Sequence, residues 1–265
     1  MCAARFTLSA FGDEIAADPV EQFRVLARLE VRYLELRAAW GKNVVGLDDD
    51  DVASLARMCA RYGISVSCVG SPVGKSTISE PLEREIGKLT RLFEIGRRLG
   101  TRRVRVFSFY PPDTSSNRDY DWYLEEAAQR LGTLTDLARR EGFHLLLENE
   151  REIVGDTPAR CHALLGAIED EHLRFAWDPA NFVQVGVARP TESGWPLLGR
   201  YVAHVHVKDA SLADGSVRAA GEGDGQVGEL LSALRRTGYH GFLALEPHLV
   251  AAGRSGGFSG PEGMA

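Results

Sequence analysis

Apolar runs of strand length alternate with stretches of helical period along this chain, and four runs in its second half each close on a residue that can bind a metal. They are Leu145-Leu146-Leu147-Glu148, Phe175-Ala176-Trp177-Asp178, Ala203-His204-Val205-His206 and Leu243-Ala244-Leu245-Glu246. The intervals between the closing residues are 30, 28 and 40, about the length of one strand-plus-helix unit. Parallel strands of a barrel bring their C-terminal ends to one mouth, where such barrels keep their active sites. Three carboxylates and one imidazole then face a single point, a donor set suited to a divalent cation.

The same alternation runs through the whole chain. A first strand is expected at 6–10, followed by a helix capped by Asp18 with Pro19 in its first turn. Further strands are expected at 32–36, 64–69, 103–107, 143–148, 173–178, 202–207 and 242–246. Helices are expected near 50–62, 81–99, 121–140, 158–168 and 227–236, with a short helical stretch at 196–198. Eight strands with intervening helices in 265 residues predict a single α/β domain, a (β/α)8 TIM barrel over residues 1–265. An open doubly wound sheet usually carries a glycine-rich phosphate loop after its first strand; here that position reads Phe11-Gly12-Asp13-Glu14. The glycine-rich tail at 250–265 is too short for a full last helix, so the barrel is expected to lack it. The seam between the eighth and first strands should then carry an apolar stripe, exposed or covered by a second copy in a homodimer.

The formal net charge is −6 with no block of like charges, which argues against a nucleic-acid partner. Cys2, Cys59, Cys68 and Cys161 form no C-x-x-C pair and read as buried free thiols of a reducing, cytoplasmic compartment. No segment reaches the ~18 consecutive apolar residues of a membrane helix, and the first ten residues do not read as a leader.

Several segments, in order, carry a likeness to a known group of proteins. They are Phe11-Gly12-Asp13-Glu14-Ile15, Gly70-Ser71-Pro72-Val73-Gly74-Lys75, Glu148-Asn149-Glu150, Asp178-Pro179-Ala180-Asn181-Phe182, His206-Val207-Lys208-Asp209, Gly221-Glu222-Gly223-Asp224-Gly225 and Glu246-Pro247-His248. On these the chain resembles the sugar phosphate isomerase/epimerase superfamily, the xylose-isomerase-like barrels. The resemblance implies that Glu148, Asp178, His206 and Glu246 bind one divalent metal. It also implies that Glu148 and Glu246 are the pair that moves protons on a ketose. The position three after the metal aspartate is often a histidine in related epimerases; here it is Asn181.

Beside these, Glu35 and Arg37 share one face of the second strand, either as substrate contacts at the mouth or as an internal salt bridge. Lys75 is expected to project from a mouth loop toward substrate. Glu150, Asn181, Lys208 and His248 are further substrate-binding candidates; Lys208 can neutralise an oxyanion or pair with a barrel carboxylate. His204 shares the strand face of His206 and reads as a core histidine. Trp40 and Phe109-Tyr110 offer an apolar wall, with packing as the plainer role. Glu222 and Asp224 would repel phosphate from the glycine-rich loop. The expected function is a metal-dependent isomerase or epimerase of a sugar or keto sugar, acting through an enediolate, with Mn2+ as the expected ion and Mg2+, Co2+ or Zn2+ compatible. The rivals are a metal-dependent lyase on a keto sugar or keto-inositol and a sugar-binding barrel without catalysis.

Overall fold

In the computed structural model, residues 4–112, 120–249, 251–253 and 256–264 are described. Eight parallel strands close into a barrel: β1 (Thr7–Phe11), β2 (Tyr33–Leu36), β3 (Ser65–Val69), β4 (Arg103–Val106), β5 (His144–Glu148), β6 (Leu173–Trp177), β7 (Val202–Val207) and β8 (Phe242–Leu245). Each pairs with its sequence neighbours, and β8 returns to β1 with Thr7 opposite Phe242 and Ala10 opposite Leu245. Every strand lies within one residue of the bounds its apolar run predicts at either end.

The helices follow from local chemistry. Asp18 caps α1 (Pro19–Arg28) by accepting from the Val20 amide at 3.0 Å. A capping box of Asp48 and Asp51 opens α2 (Asp49–Tyr62), and Gly63 closes it at φ 62°. The chain continues with α3 (Leu82–Leu99), α4 (Tyr120–Glu141) and α5 (Pro158–Ile168), the last capped by Thr157. Their apolar faces bury against the strands, with Phe93 and Phe143 in ring contact at 4.5 Å.

Two helical stretches depart from the expectation. An additional helix, α6 (Pro179–Gln184), starts directly after β6, because Asp178 itself is the cap. The next helix, α7 (Pro190–Leu198), begins six residues before the expected stretch at 196–198 and carries Pro196 inside it. A proline there reads as a start or a stop, since it removes a hydrogen bond, whereas the first turn is set by Pro190. α8 (Val227–Arg236) lies where predicted.

After β8 come a hairpin pairing Ala251–Gly253 with Gly256–Phe258 and the five-residue α9 (Gly260–Met264), in place of a long last helix. This segment docks on the 3-10 turn Gly12–Glu14 that follows β1: the Ser259 amide donates to the Glu14 carbonyl at 2.9 Å and Met264 is buried. The tail therefore sits at the mouth. At the seam, Ser9 and Phe11 point into the barrel, so alternation turns Leu8 and Ala10 outward. Leu8 is 50% exposed, whereas Ala10 and the neighbouring Leu243 are buried. The seam is apolar as expected but only partly open. Among the described residues no helix is long and apolar enough to cross a membrane.

Candidate metal centre

The closing residues of β5 to β8 meet as their spacing predicts. Glu148 ends β5, Asp178 follows β6, His206 lies on β7 and Glu246 follows β8. One ligand atom from each lies within 4.8 Å of the others, and all four side chains are buried. His206 Nδ1 is 2.9 Å from Glu148 Oε1 and 3.4 Å from Glu246 Oε2. Asp178 Oδ1 accepts from the Asn181 amide at 2.9 Å, so the cap of α6 fixes the carboxylate.

Each carboxylate also meets a cation. Arg105 Nη1 is 3.2 Å from Glu148 Oε2, Lys208 Nζ donates to Asp178 Oδ2 at 3.1 Å, and Arg37 Nη1 donates to Glu246 Oε1 at 2.5 Å. Arg37 is shared, since its Nε donates to Asp13 and its Nη2 to Glu14. Burial and the Glu148 and Glu246 charges push the Asp178 carboxyl up to about 7, against the pull of Lys208. Burial also works against Glu246, but Lys208 and Arg37 outweigh it and hold that carboxyl well below the usual range. For His206, burial disfavours the charged ring, yet Glu148 and Glu35 hold it well above the usual imidazole range.

Glu35 is fully buried on the far side of His206 from Glu148 and Glu246. Its Oε2 lies 2.7 Å from His204 Nε2 and its Oε1 lies 3.4 Å from His206 Nε2. This position is inside the barrel against two imidazoles, not at the mouth and not paired with Arg37. His204, with no exposed surface, occupies the core as expected. Arg37 is likewise held between carboxylates, over the Phe11 ring at 4.6 Å.

The remaining candidates divide between scaffold and rim. Asn181 is buried, donates to the Asn149 carbonyl at 2.9 Å and accepts from Lys208 at 3.1 Å. Lys75 pairs with Glu150 at 2.7 Å on the rim and lies over the Phe107 ring at 4.3 Å. His248 Nε2 is 3.1 Å from Glu14 Oε1 and 3.6 Å from Glu246 Oε1; burial and Lys208 bring its pKa down to about 4. Phe109 is buried beneath Arg130, so it packs rather than lining a sugar site, whereas Trp40 stands 36% exposed at a hairpin tip. The loop at 221–225 wraps the buried Asp209 carboxylate, which accepts from the amides of Gly221, Gly223 and Gly225. Those amides are consumed, which removes the loop as a phosphate cradle.

Arg105, Asp13 and Glu14 escaped the sequence reading. In β4 the charged residues alternate with Val104 and Val106, which reads as an ordinary half-exposed strand; here Arg105 faces in and is 5% exposed. Asp13 and Glu14 lie in a segment singled out by likeness, but their pairing with Arg37 follows only from the folded barrel.

A divalent cation fits this donor set. The buried Glu148 Oε2 and Glu246 Oε2 accept no hydrogen bond, and His206 Nδ1 points at both residues. Three oxygens and one nitrogen from rigid strand ends match the ligation of Mn2+, Co2+ or Zn2+.

Solved structures share the architecture. A D-tagatose 3-epimerase-like protein superposes with a TM-score of 0.74 at 20% identity, covering 90% of each chain. The IOLI protein with a bound zinc atom gives 0.76 at 17% identity, over 91% of this chain and 89% of its own. The probable 3-DHS dehydratase AsbF of Bacillus anthracis gives 0.72 at 18% identity, over 91% and 92%. No curated protein sequence matches the chain. At these identities the neighbours establish the fold, and the match of the xylose isomerase-like TIM barrel profile over residues 23–256 places this chain in that family.

Proposed function

We propose that this protein is a divalent-metal-dependent isomerase or epimerase of an uncharged sugar or keto sugar. The observation that carries the reading is the convergence of Glu148, Asp178, His206 and Glu246, with Glu148 and Glu246 both against Nδ1 of the imidazole. Glu148 and Glu246 are the proton-transferring pair: one removes the proton next to a carbonyl, and the other returns a proton to the opposite face or the neighbouring carbon. A bound divalent ion, Mn2+ in this proposal, would polarise the carbonyl and stabilise the enediolate. Arg37 and Lys208 keep Glu246 ionised and so ready to act as the base. Asn181 and Lys208 hold Asp178 in place. Lys75, Glu150 and His248 stand closest to the rim and are proposed to contact hydroxyls. Carboxylates outnumber cations around the site, and the nearby glycine-rich loop offers no free amides, both of which favour an unphosphorylated substrate.

The test is elemental analysis of purified, untagged protein beside His206→Ala. About one divalent ion per chain, lost in the variant, is expected. Keto sugars incubated with the loaded protein in D2O should then take up deuterium at carbon without loss of water. Absence of metal from both proteins after soaking with Mn2+ or Zn2+ would overturn the proposal. Loss of water from the sugar would move the reaction to the lyases.

A further inference from the structure

We infer that Glu35, braced by His204, is a positioning residue that sets His206 with Nδ1 toward the metal and Nε2 toward the barrel interior. The inference rests on the metal reading above and deepens it, by assigning the group that orients the imidazole. β2 and β7 are not neighbours in the barrel, since β1 and β8 lie between them. Glu35 therefore reaches across the interior to meet β7. There it finds two imidazoles two residues apart on one inward face, His204 Nε2 at 2.7 Å and His206 Nε2 at 3.4 Å. None of the three side chains has exposed surface.

His206 Nδ1 faces Glu148 and Glu246, while its Nε2 faces Glu35. An imidazole that binds a metal through Nδ1 must carry its proton on Nε2, and a buried carboxylate is the acceptor that makes this tautomer favourable. Glu35 Oε1 and His206 Nε2 face each other at 3.4 Å and neither makes a hydrogen bond elsewhere or across that gap, so each is left for the other once Nε2 carries the proton. His204 occupies the second oxygen of Glu35, so the carboxylate cannot rotate without losing its 2.7 Å contact. Phe11 closes the side of the ring, edge-on to His206 at 5.1 Å between centroids. Together these contacts hold the ring plane before any ion arrives, which lowers the ordering cost of ligation.

A second cluster shares one residue, His206, with the metal centre. Glu35, His204 and His206 themselves bring ligand atoms within 4.8 Å of one another. With the Nε2 proton directed at Glu35 the cluster has no lone pair free on His206 for a second ion, so the inference requires one ion per chain.

The experiment loads the full-length protein with Zn2+ and reads the histidine 15N shifts, beside Co2+ titrations of wild type, Glu35→Gln, His204→Gln and His206→Ala followed by calorimetry and visible absorption. In wild type, the expected result is a protonated, slowly exchanging Nε2 on His206 with Nδ1 bound to metal. Glu35→Gln should bind Co2+ about 10- to 100-fold more weakly with a changed visible spectrum, and His204→Gln should shift both in the same direction by less. A merely structural role would lower thermal stability and leave Co2+ affinity and spectrum unchanged; that result overturns the inference. So does a His206 ring bound through Nε2, read on wild type without any variant, or two ions per chain. If wild type binds Co2+, His206→Ala loses it and Glu35→Gln keeps it, only the inference fails. If wild type binds no ion at all, the metal reading fails and takes the inference with it.

Discussion

Arg105 Nη1 lies 3.2 Å from Glu148 Oε2 with both side chains buried, so a metal-type carboxylate has an arginine as its permanent neighbour. Breaking a buried pair on one side leaves an uncompensated charge, at a cost of about 3–5 kcal/mol. Arg105→Met is therefore expected to lower the thermal midpoint sharply in EDTA. A divalent ion supplies the missing positive charge, so added Mn2+ should raise the midpoint of the variant more than that of wild type. Parallel melts with and without Mn2+ check this; equal shifts in the two proteins would remove Arg105 from the electrostatics of the site.

The proton-transfer pair proposed above, Glu148 and Glu246, gives a second expectation. Glu148→Gln and Glu246→Gln each keep the side-chain volume and lose the base. Removing a general base typically costs about 10²–10⁴-fold. Deuterium uptake by a responsive keto sugar should fall by at least about 10²-fold in each variant, while the far-ultraviolet circular dichroism stays that of wild type. Retained exchange in either variant would assign its role elsewhere.

Much of this architecture was legible because it rests on local rules. A strand buried on both faces must be apolar nearly throughout, and the residue that ends it at the mouth is free to be polar; Leu145-Leu146-Leu147-Glu148 obeys both demands. What escaped was long-range. That Arg37 serves Asp13, Glu14 and Glu246 at once depends on β1, β2 and β8 being neighbours, which closure of the barrel supplies. The place of Glu35 beneath His206 depends on its depth along the barrel, which two-residue alternation leaves open. α6 is hidden in the sequence because Asp178 reads there as a candidate metal ligand, whereas the structure also makes it the helix cap.

Gly74 yields a prediction about how the rim is held. It adopts φ +83°, and a Cβ there would stand 2.0 Å from the Phe107 carbonyl oxygen. The backbone is pinned on both sides, since the Gly74 amide donates to Glu85 and its carbonyl accepts from Phe109. Gly74→Ala must move this loop or strain it, at about 1–3 kcal/mol for the backbone conformation alone. Chemical denaturation should show at least that loss. Lys75, next in sequence, should lose its pairing with Glu150, seen as a weaker response of sugar binding to Lys75→Met in the Gly74→Ala background.

The cysteines allow a pH prediction with a definite sign. Burial pushes the Cys59 thiol up to about 11, and burial likewise holds Cys68 and Cys161 well above the usual thiol range. Cys2 lies outside the described residues, so the test uses Cys2→Ser. The thiolate is the reactive form, and at pH 8 a thiol with a pKa near 11 is only about 0.1% ionised. Folded Cys2→Ser should show no rapidly reacting thiol toward a disulfide reagent at pH 8, and three after unfolding in guanidinium. The Cys59 rate should climb as pH rises toward 11. Cys59 is half-buried rather than buried as expected, so a fast native thiol at pH 8 would contradict its partial burial or the full burial of Cys68 and Cys161.

Ser259 ties the chain's last segment to the site. Its hydroxyl donates to Glu14 Oε2 at 2.9 Å and accepts from the Leu249 amide at 3.0 Å, while its own amide binds the Glu14 carbonyl. Glu14 is itself buried, pushed up to about 7 by burial against the pull of Arg37. Ser259→Ala removes two hydrogen bonds, at about 0.5–1.5 kcal/mol each, the Leu249 amide being exposed enough to turn to water. Because α9 docks on the Gly12–Glu14 turn, the loss should appear first as release of the tail and only then as global unfolding. Limited proteolysis is expected to cut Ser259→Ala after Leu249 faster than wild type. Ser259→Thr keeps the hydroxyl and should restore resistance, so equal cleavage of all three proteins would show that the tail is held by something other than this contact.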